Sequence, residues 1–407
     1  MRIVHWDEMF HPNFGYQINV LPVYQRRQGH EVIIVTAEHP EQHPVFASFG
    51  QKTDIVRADH QFEQETGVKI IRLPVYGVVS GRTIYKPGYL KVINGLHPDV
   101  VMCHTSDTLS AMTIIWNHKR IHAPLVFDNH MLEMASVNRL RNAFRWFYRC
   151  FVTPVIKKNR FVTIRTQNDP YVMKCLGIPE ELAPYISFGT DTSLFRPDTE
   201  RRTAFRRELG ISEDAFVVLY AGKLTPGKGG LLLAQALEKE LSHDREVAVV
   251  VVGSTDPDEY GKQVDETLAR SENHLLRFGT QNYRDLAKFY QAADLALFAK
   301  QCSLSFFDVQ AAGLPVILEN TQINLDRIQA GNGFAFTAGD AEDLTRRIRQ
   351  CIEMPEAEYA KMKQASRAYV VQNFDYNDIA RQYTEILERE MCRQNAEKLP
   401  HARLERA

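Results

Sequence analysis

The stretch Phe216–Leu241, FVVLYAGKLTPGKGGLLLAQALEKEL, decides which kind of fold this chain can adopt. Its first five residues, Phe216–Tyr220, form an apolar run that predicts a buried strand of a parallel sheet. A loop rich in glycine follows, and Leu233, Leu237 and Leu241 then recur on one face of a predicted helix. A strand, a loop and a helix in this order predict one unit of a doubly wound α/β domain.

The loop carries two lysines, Lys223 and Lys228. Both follow the carboxyl end of the predicted strand, which is the edge at which open parallel sheets bind ligands. Two ammonium groups at this edge predict a pocket for an anion, most simply a pyrophosphate group. Two solvated surface lysines would show the same spacing, so the loop alone leaves both interpretations open.

Length and composition narrow the class of protein. A chain of 407 residues is too long for one ordinary core, so we expect two domains. The formal net charge of -1 gives no electrostatic reason to expect nucleic acid as a partner. The cysteines include no CxxC pair, which argues against a disulfide framework or a zinc site. We find neither a signal peptide nor an apolar run long enough to span a membrane, so we expect a soluble, cytoplasmic protein.

Apolar runs alternate with helical patterns along the first half of the chain, which predicts a parallel sheet covered by helices. The predicted strands are Arg2–His5, Glu31–Thr36, Val68–Leu73, Val100–Cys103, Leu125–Phe127 and Phe161–Ile164. The segment Tyr185–Pro197 predicts a last strand and then a linker to a second domain.

Two histidines, His104 and His130, directly follow predicted strands of this half. Carboxyl ends of parallel strands are where functional sites are built, and the polar Asp128 and Asn129 beside His130 favour it as a site residue. A loop histidine can equally be structural, and this alternative applies most to His104. Gly15 stands where the first loop enters a helix, as in nucleotide-binding folds, although the chain has no GxGxxG motif.

The second half repeats the alternation of strands and helices. The predicted strands after the lysine loop are Glu246–Val252, His274–Phe278, Leu295–Ala299 and Val316–Leu318. Asp308 opens a helical segment that ends at Gly313. Ser303 and Ser305 precede this segment, and their hydroxyls together with free backbone amides predict contacts to an anion.

The segment Val137–Arg160 is strongly basic, with seven arginines and lysines and no acidic residue. Aromatic side chains form one helical stripe and arginines form an adjacent one, a pattern typical of helices that lie on anionic membranes. The same pattern fits a helix that packs on the core with a solvated cationic face. The sequence leaves both interpretations open, with the membrane slightly favoured.

Five segments of the chain are similar, in the same order, to motifs of one enzyme family. Asp308–Val316, DVQAAGLPV, is similar to the family's E-A-x-A-x-G-x-P-V, and the lysine loop is similar to its G-R-L-x-x-x-K-G. The other three similar segments are Gly29–Val32, Phe188–Phe195 and Asn332–Phe334. The chain thus resembles the retaining glycosyltransferases of family four, which have the GT-B fold.

This resemblance implies two Rossmann-like doubly wound α/β domains facing a cleft. Residues 1–195 would form the N-terminal, acceptor-side domain and residues 196–375 the nucleotide-sugar-binding domain. Residues 376–407 would form a C-terminal helix that crosses back toward the first domain. The implied reaction transfers a sugar from a nucleotide diphosphate sugar to a glycan or lipid-linked acceptor with retention, in surface polysaccharide or glycolipid assembly. It would need no metal and no cofactor, and it could take place at the inner face of the membrane.

The resemblance also implies roles for individual residues. His130, Lys223 and Lys228 would be catalytic, and His104 and Asp128 would lie on the acceptor side. The donor-binding residues would be Gly15, Lys223, Lys228, Gly279, Thr280, Gln281, Ser303, Leu304, Ser305 and Asp308.

Three positions depart from the family pattern. Lys223 replaces an arginine, and Asp308 replaces a glutamate. Lys300 stands where the family has a glutamate that helps to hold the donor sugar. This last departure leaves a second interpretation open, a non-catalytic GT-B homologue that binds a nucleotide or a partner protein. A third and weaker interpretation is a nucleotide-sugar epimerase with the same two domains.

Overall fold

The computed structural model describes residues 1–40, 54–79, 81–133, 138–242, 244–300 and 304–402. The chain divides into two compact units. Unit 1 contains Met1–Phe188 together with the residues from Tyr376 onward, and unit 2 contains Gly189–Asp375.

Unit 1 is built on a six-stranded parallel sheet in the order β3-β2-β1-β6-β7-β8. The strands of unit 1 are β1 Arg2–Trp6, β2 Glu31–Ala37, β3 Lys69–Leu73, β4 Val75–Val79, β5 Arg82–Tyr85, β6 Val100–Cys103, β7 Leu125–Asn129 and β8 Thr163–Arg165. Strands β4 and β5 form a separate hairpin outside the six-stranded sheet. Strands β1, β2, β6 and β7 are buried almost throughout because helices cover both faces of the sheet.

The helices of unit 1 connect these strands. They are α1 Gln17–Arg27, α2 Ile55–Thr66, α3 Tyr89–Gly95, α4 Leu109–Trp116, α5 Arg141–Phe151 and α6 Thr153–Asn159. The local sequence explains where α2 begins and ends. The Asp54 side chain accepts a hydrogen bond from the Arg57 backbone at its start, and Gly67 ends it in the left-handed conformation with φ of 71°.

Unit 2 repeats the topology of unit 1, with a six-stranded parallel sheet in the order β11-β10-β9-β12-β13-β14. The strands are β9 Phe216–Ala221, β10 Val247–Val252, β11 His274–Phe278, β12 Leu295–Phe298, β13 Val316–Glu319 and β14 Gly333–Phe336. Every residue of β10 is buried, as its all-apolar sequence requires of an interior strand.

The helices of unit 2 are α7 Thr199–Glu208, α8 Gly230–Ala236, α9 Glu259–Ala269, α10 Leu286–Ala292, α11 Ser305–Ala311, α12 Gln322–Arg327, α13 Ala341–Ile352 and α14 Glu356–Asn373. The last helix, α15 Tyr376–Ala402, belongs to unit 1. Tyr376 of α15 stacks on Tyr24 of α1 with ring centroids 5.9 Å apart. No helix in the described ranges is long and apolar enough to cross a membrane.

The predicted fold class, two Rossmann-like doubly wound α/β domains, is confirmed. Three local predictions are wrong. Tyr185 forms only an isolated bridge with Arg165, so no strand starts there. Helix α8 ends at Ala236, although Leu241 beyond it is buried as expected, because a loop residue can fill the core as well as a helical one. Helix α11 begins at Ser305 and not at Asp308, since the buried Phe306 and Phe307 extend its core-facing side toward its start.

Candidate active site

Both sheets have a point at which the strand order reverses, and open α/β sheets bind ligands beside that point. In unit 1 it lies between β1 and β6, and in unit 2 between β9 and β12. Some of the predicted site residues lie there. Lys223 and Lys228 follow β9, and His104 follows β6.

The loop with Lys223 and Lys228 is fixed by backbone contacts to the neighbouring strand. The Gly222 amide donates to the Val252 carbonyl at 2.9 Å, and the Leu224 amide donates to the Ser254 carbonyl at 3.2 Å. Lys223 is half-buried, and burial lowers the pKa of its ammonium group while Asp256 opposes this shift. These backbone hydrogen bonds hold the loop that carries Lys223 in one position.

Glycine lets the lysine loop press against the end of β12. Gly229, directly after Lys228, has φ of 73°, and a Cβ added to it would lie 3.0 Å from the Cβ of Lys300. A Cβ on Gly230 would lie 2.7 Å from the Leu224 carbonyl oxygen. The close approach brings Lys300, which sequence reasoning treated only as a missing glutamate, beside the lysine loop. Strands β9 and β12 are neighbours in the sheet, so the segments that follow them, the lysine loop and Lys300, could be expected to lie near each other.

Asp308 lies in α11 and is only 4% exposed. Its Oδ1 accepts a hydrogen bond from the Thr190 hydroxyl at 2.5 Å and lies 3.5 Å from the Tyr283 hydroxyl. Burial raises the pKa of the carboxyl group to about 7, although both hydroxyls lower it. The predicted role of Asp308 in binding the donor remains a prediction. Neither Thr190 nor Tyr283 was predicted as a site residue, although Thr190 lies in the similar segment Phe188–Phe195.

The other predicted donor-binding residues lie at the same edge of unit 2, with one in unit 1. Gly279, Thr280 and Gln281 follow β11, and the Thr280 hydroxyl is 3.3 Å from the Ser254 hydroxyl. Ser305 is the first residue of α11 and Leu304 immediately precedes it, whereas Ser303 lies outside the described residues. Gly15 lies in unit 1, two residues before α1.

Unit 1 brings together the residues predicted for its side of the reaction. Asp128, at the end of β7, is fully buried between two histidines. Its Oδ2 lies 2.8 Å from Nδ1 of His104, and its Oδ1 lies 3.1 Å from Nε2 of His130. His130 keeps a side-chain exposure of 28%, and its ring contacts Phe188 edge to face at 5.1 Å. A ligand can therefore reach His130, while His104 and Asp128 lie behind it.

The same three residues could hold a metal ion, since one ligand atom from each lies within 4.8 Å of the others. Two imidazoles and a carboxylate are a ligand set that zinc accepts. Nδ1 of His104, Oδ2 of Asp128 and Nε2 of His130 are buried and have no hydrogen-bond partner among the described residues, although the carboxylate lies within ion-pair distance of both rings. The expected absence of a metal remains a prediction.

Two protein families match the chain, one in each half. The family described as glycosyl transferase 4-like domain matches residues 19–164, and the family described as glycosyl transferases group 1 matches residues 201–369. The two matched ranges fall in unit 1 and unit 2, respectively.

Two curated relatives show what kinds of protein carry similar sequences. A lipopolysaccharide 1,2-N-acetylglucosaminetransferase from Salmonella typhimurium is 30% identical over 151 residues, which cover 34% of this chain and 40% of the relative. A GDP-mannose-dependent monoacylated alpha-(1-6)-phosphatidylinositol monomannoside mannosyltransferase from Corynebacterium glutamicum is 22% identical over 51% of this chain and 56% of its own length. The chain thus spans only about half the length of these relatives.

Solved structures share the fold over nearly the whole chain. A glycosyltransferase from Rickettsia africae superposes with a TM-score of 0.75 at 18% identity, covering 96% of this chain and 98% of its own. Anabaena HepE in complex with UDP and glucose superposes with a TM-score of 0.71 at 20% identity, covering 95% and 99%. The two matched families and the GT-B fold of these structures confirm the resemblance, and the chain belongs to the GT-B glycosyltransferases of family four.

Proposed function

We propose that this protein transfers a sugar from a nucleotide diphosphate sugar to an acceptor and retains the anomeric configuration of a hexose. The observation that carries the proposal is the lysine loop, which places Lys223 and Lys228 where the strand order of unit 2 reverses. Steady release of nucleoside diphosphate from a panel of nucleotide sugars tests the proposal, and NMR of the first product formed tests retention.

Charge development explains the role of the loop. When the bond between the sugar and the diphosphate breaks, negative charge grows on the phosphate oxygen that leaves. Lys223 and Lys228 would stabilise this charge, and a pre-aimed donor in such a site contributes about 3 kcal/mol. The Cβ of Lys300 lies close to Gly229, so a third lysine adjoins the same loop. Burial raises the pKa of Glu319, and the charge of Lys300 opposes this shift.

We predict that turnover needs no divalent cation, because the lysines supply the positive charge that a metal would otherwise provide. Turnover measured after removal of metals with excess EDTA should equal turnover with added magnesium. Complete loss of activity in EDTA that magnesium or manganese restores would contradict this prediction.

The names of the curated relatives suggest a class of acceptor. The names of both curated relatives describe enzymes that glycosylate lipid-containing molecules, a lipopolysaccharide and a phosphatidylinositol mannoside. We extend this to a glycan or lipid-linked acceptor for the present chain, used in surface polysaccharide or glycolipid assembly in the cytoplasm. Such an acceptor would be presented at a membrane surface.

Unit 1 carries a surface that fits this expectation. Leu140, Trp146 and Phe151 are exposed by 70%, 64% and 53%, and Trp116 beside them by 42%. The remaining aromatic residues of the predicted stripe, including Phe147, pack on the core. Helix α5 thus shows features of both interpretations that the sequence left open. One of its faces packs on the core, and another exposes aromatic rings that could bind a membrane. Exposed aromatic rings among arginines favour the interface of an anionic membrane.

We predict that the protein sediments with anionic liposomes at low salt. Polybasic residues near such a surface contribute ~1 kcal/mol each, so a triple change of Arg141, Arg145 and Arg149 to glutamate should abolish sedimentation. A matched control changes three exposed cations elsewhere, Arg57, Arg207 and Lys361, to glutamate and should still bind. If the wild-type protein stays in the supernatant at low salt, the surface does not dock on membranes.

The matched families and relatives do not favour the second interpretation of the sequence, but the turnover assay tests it as well. Lys300 in place of a glutamate suits a non-catalytic homologue that binds a nucleotide or a partner protein. Such a protein would bind nucleoside diphosphates without releasing them from any nucleotide sugar, so the turnover assay separates the two candidates.

A further inference from the structure

Three buried polar atoms at the carboxyl edge of the unit 1 sheet have no hydrogen-bond partner among the described residues. They are Nδ1 of His104, Oδ2 of Asp128 and Nε2 of His130. One ligand atom from each of the three residues lies within 4.8 Å of the others. Since a buried polar atom without a partner costs about 1–3 kcal/mol, three of them side by side require an explanation.

The surrounding hydrogen bonds set which nitrogen of His104 faces this cluster. Nε2 of His5 lies 2.7 Å from Oε1 of Gln25, and an amide oxygen can only accept, so this nitrogen carries the proton. Nδ1 of His5 therefore accepts from Nε2 of His104 at 2.9 Å. In the neutral ring of His104 the lone pair then lies on Nδ1, which is the nitrogen without a partner.

The carboxylate of Asp128 is oriented in a similar way. Its Oδ1 accepts a hydrogen bond from the backbone amide of Thr105 at 2.8 Å. Its Oδ2 lies 2.8 Å from Nδ1 of His104, but the two atoms form no hydrogen bond. Two electron-rich atoms this close repel each other unless a cation lies beside both. Metal ligands in proteins are oriented like these, because the atom that does not bind the metal is hydrogen-bonded to a fixed neighbour.

The ligand set and its spacing fit zinc. Zn²⁺ binds imidazole nitrogen and carboxylate oxygen at about 2.0–2.2 Å, which places tetrahedral ligands about 3.3 Å from one another. The separations in the cluster, from 2.8 Å to at most 4.8 Å, bracket this value. Mg²⁺ prefers oxygen ligands, so two imidazoles disfavour it. The side chain of His130 is 28% exposed, which gives an ion access from solvent.

We propose that Nδ1 of His104, the Asp128 carboxylate and Nε2 of His130 bind one Zn²⁺ ion within unit 1. His5 and Gln25 are positioning residues for this site. The site contains no cysteine, so the cysteine pattern of the sequence gave no sign of it.

Zinc at this site would be an inhibitor and not a cofactor of the transfer. It takes a nitrogen of His130, the residue that the sequence predicts to be catalytic, so bound zinc should stop turnover. This effect rests on the proposed function, whereas the zinc site itself does not.

Calorimetric titration of metal-free protein with Zn²⁺ tests the site. We expect one zinc ion per wild-type chain and no comparable affinity for Mg²⁺. His130→Ala removes a partly exposed ligand and should weaken zinc binding by ~10²-fold or more. His60→Ala is the matched control, since it removes an exposed imidazole in α2 and should bind zinc like the wild type.

Gln25→Met tests the positioning residues. Methionine is similar in size but offers no amide oxygen to Nε2 of His5, so the tautomers of His5 and His104 are no longer fixed. Zinc affinity should fall by about 10-fold to 100-fold. Zinc bound to surface histidines or exposed cysteines would not respond to this change.

X-ray absorption of the wild-type zinc complex identifies the ligands without any variant. Nitrogen and oxygen neighbours at about 2.0–2.2 Å are expected, whereas sulfur at about 2.3 Å would overturn the proposal because it would place zinc on cysteines. The proposal would also be overturned if the wild type bound no stoichiometric zinc or if His130→Ala kept the wild-type affinity.

Turnover separates the site from its effect. One equivalent of zinc should stop the release of nucleoside diphosphate by the wild type, and excess EDTA should restore it. Stoichiometric zinc binding with full turnover would overturn the inhibitory effect. A metal-free wild type that turns over no nucleotide sugar would instead count against the proposed function, and the titration would still decide the zinc site.

Discussion

Replacement of Lys228 with alanine is expected to lower turnover by at least ~10²-fold, because it would remove one of the two cations that we propose to stabilise the leaving diphosphate. The free energy of unfolding should change by less than about 0.5 kcal/mol, since a loop cation outside the core contributes little to folding. Steady-state kinetics and urea unfolding of the purified variant measure the two effects separately.

Lys262→Ala provides the matched control for this prediction. Lys262 lies in α9 of the same unit with 67% of its side chain exposed, and it should be dispensable for both activity and stability. If Lys228→Ala keeps wild-type kinetics, the assignment of the loop to a diphosphate is wrong.

Gly253→Ala is expected to lower the free energy of unfolding by at least ~3 kcal/mol and to abolish most of the activity. Gly253 follows β10 with φ of 139°, and a Cβ there would lie 1.9 Å from the Gly222 carbonyl oxygen. The backbone must move to relieve this contact, and Gly222 immediately precedes Lys223. The substitution should therefore displace the lysine loop as well as weaken the fold.

Gly210→Ala is the control for Gly253→Ala. It separates the effect of a Cβ that would overlap with another backbone atom from the effect of a positive φ. Gly210 also has a positive φ, 69°, but no atom lies within 4 Å of the position that its Cβ would take. Its replacement should cost only about 1 kcal/mol and leave activity unchanged. Similar unfolding curves for the two variants would contradict the close approach of the two loops.

The sequence was sufficient to predict the parallel strands of both sheets except β14, because strands covered by helices on both faces are mostly apolar runs. Val100–Cys103 and His274–Phe278 have the predicted bounds. The β4–β5 hairpin was missed, since Val75–Val79 and Arg82–Tyr85 are partly exposed and show no regular alternation. Strand β14 was also missed as a strand, because Gly333–Phe336 is short and begins with glycine.

The candidate site could be predicted only where side chains follow strands. The sequence predicted Lys223, Lys228, His104 and His130 in this way. The contact of Lys300 with the lysine loop could not be predicted, because it depends on how closely Gly229 approaches the end of β12. The position of His5 against His104 could not be predicted either, since it joins strands that are neighbours in the sheet but 99 residues apart in sequence.

The most direct test of the account is the affinity of the protein for nucleotides that differ only in their phosphates. Calorimetric titration would compare the diphosphates of uridine, guanosine and adenosine with the corresponding monophosphates, for the wild type and for Lys228→Ala. The account predicts that one diphosphate binds the wild type at least ~10-fold, or about 1.4 kcal/mol, more tightly than its monophosphate. It also predicts that Lys228→Ala loses this difference. Equal affinity for the two phosphates in the wild type, or a preference that survives in Lys228→Ala, would contradict it.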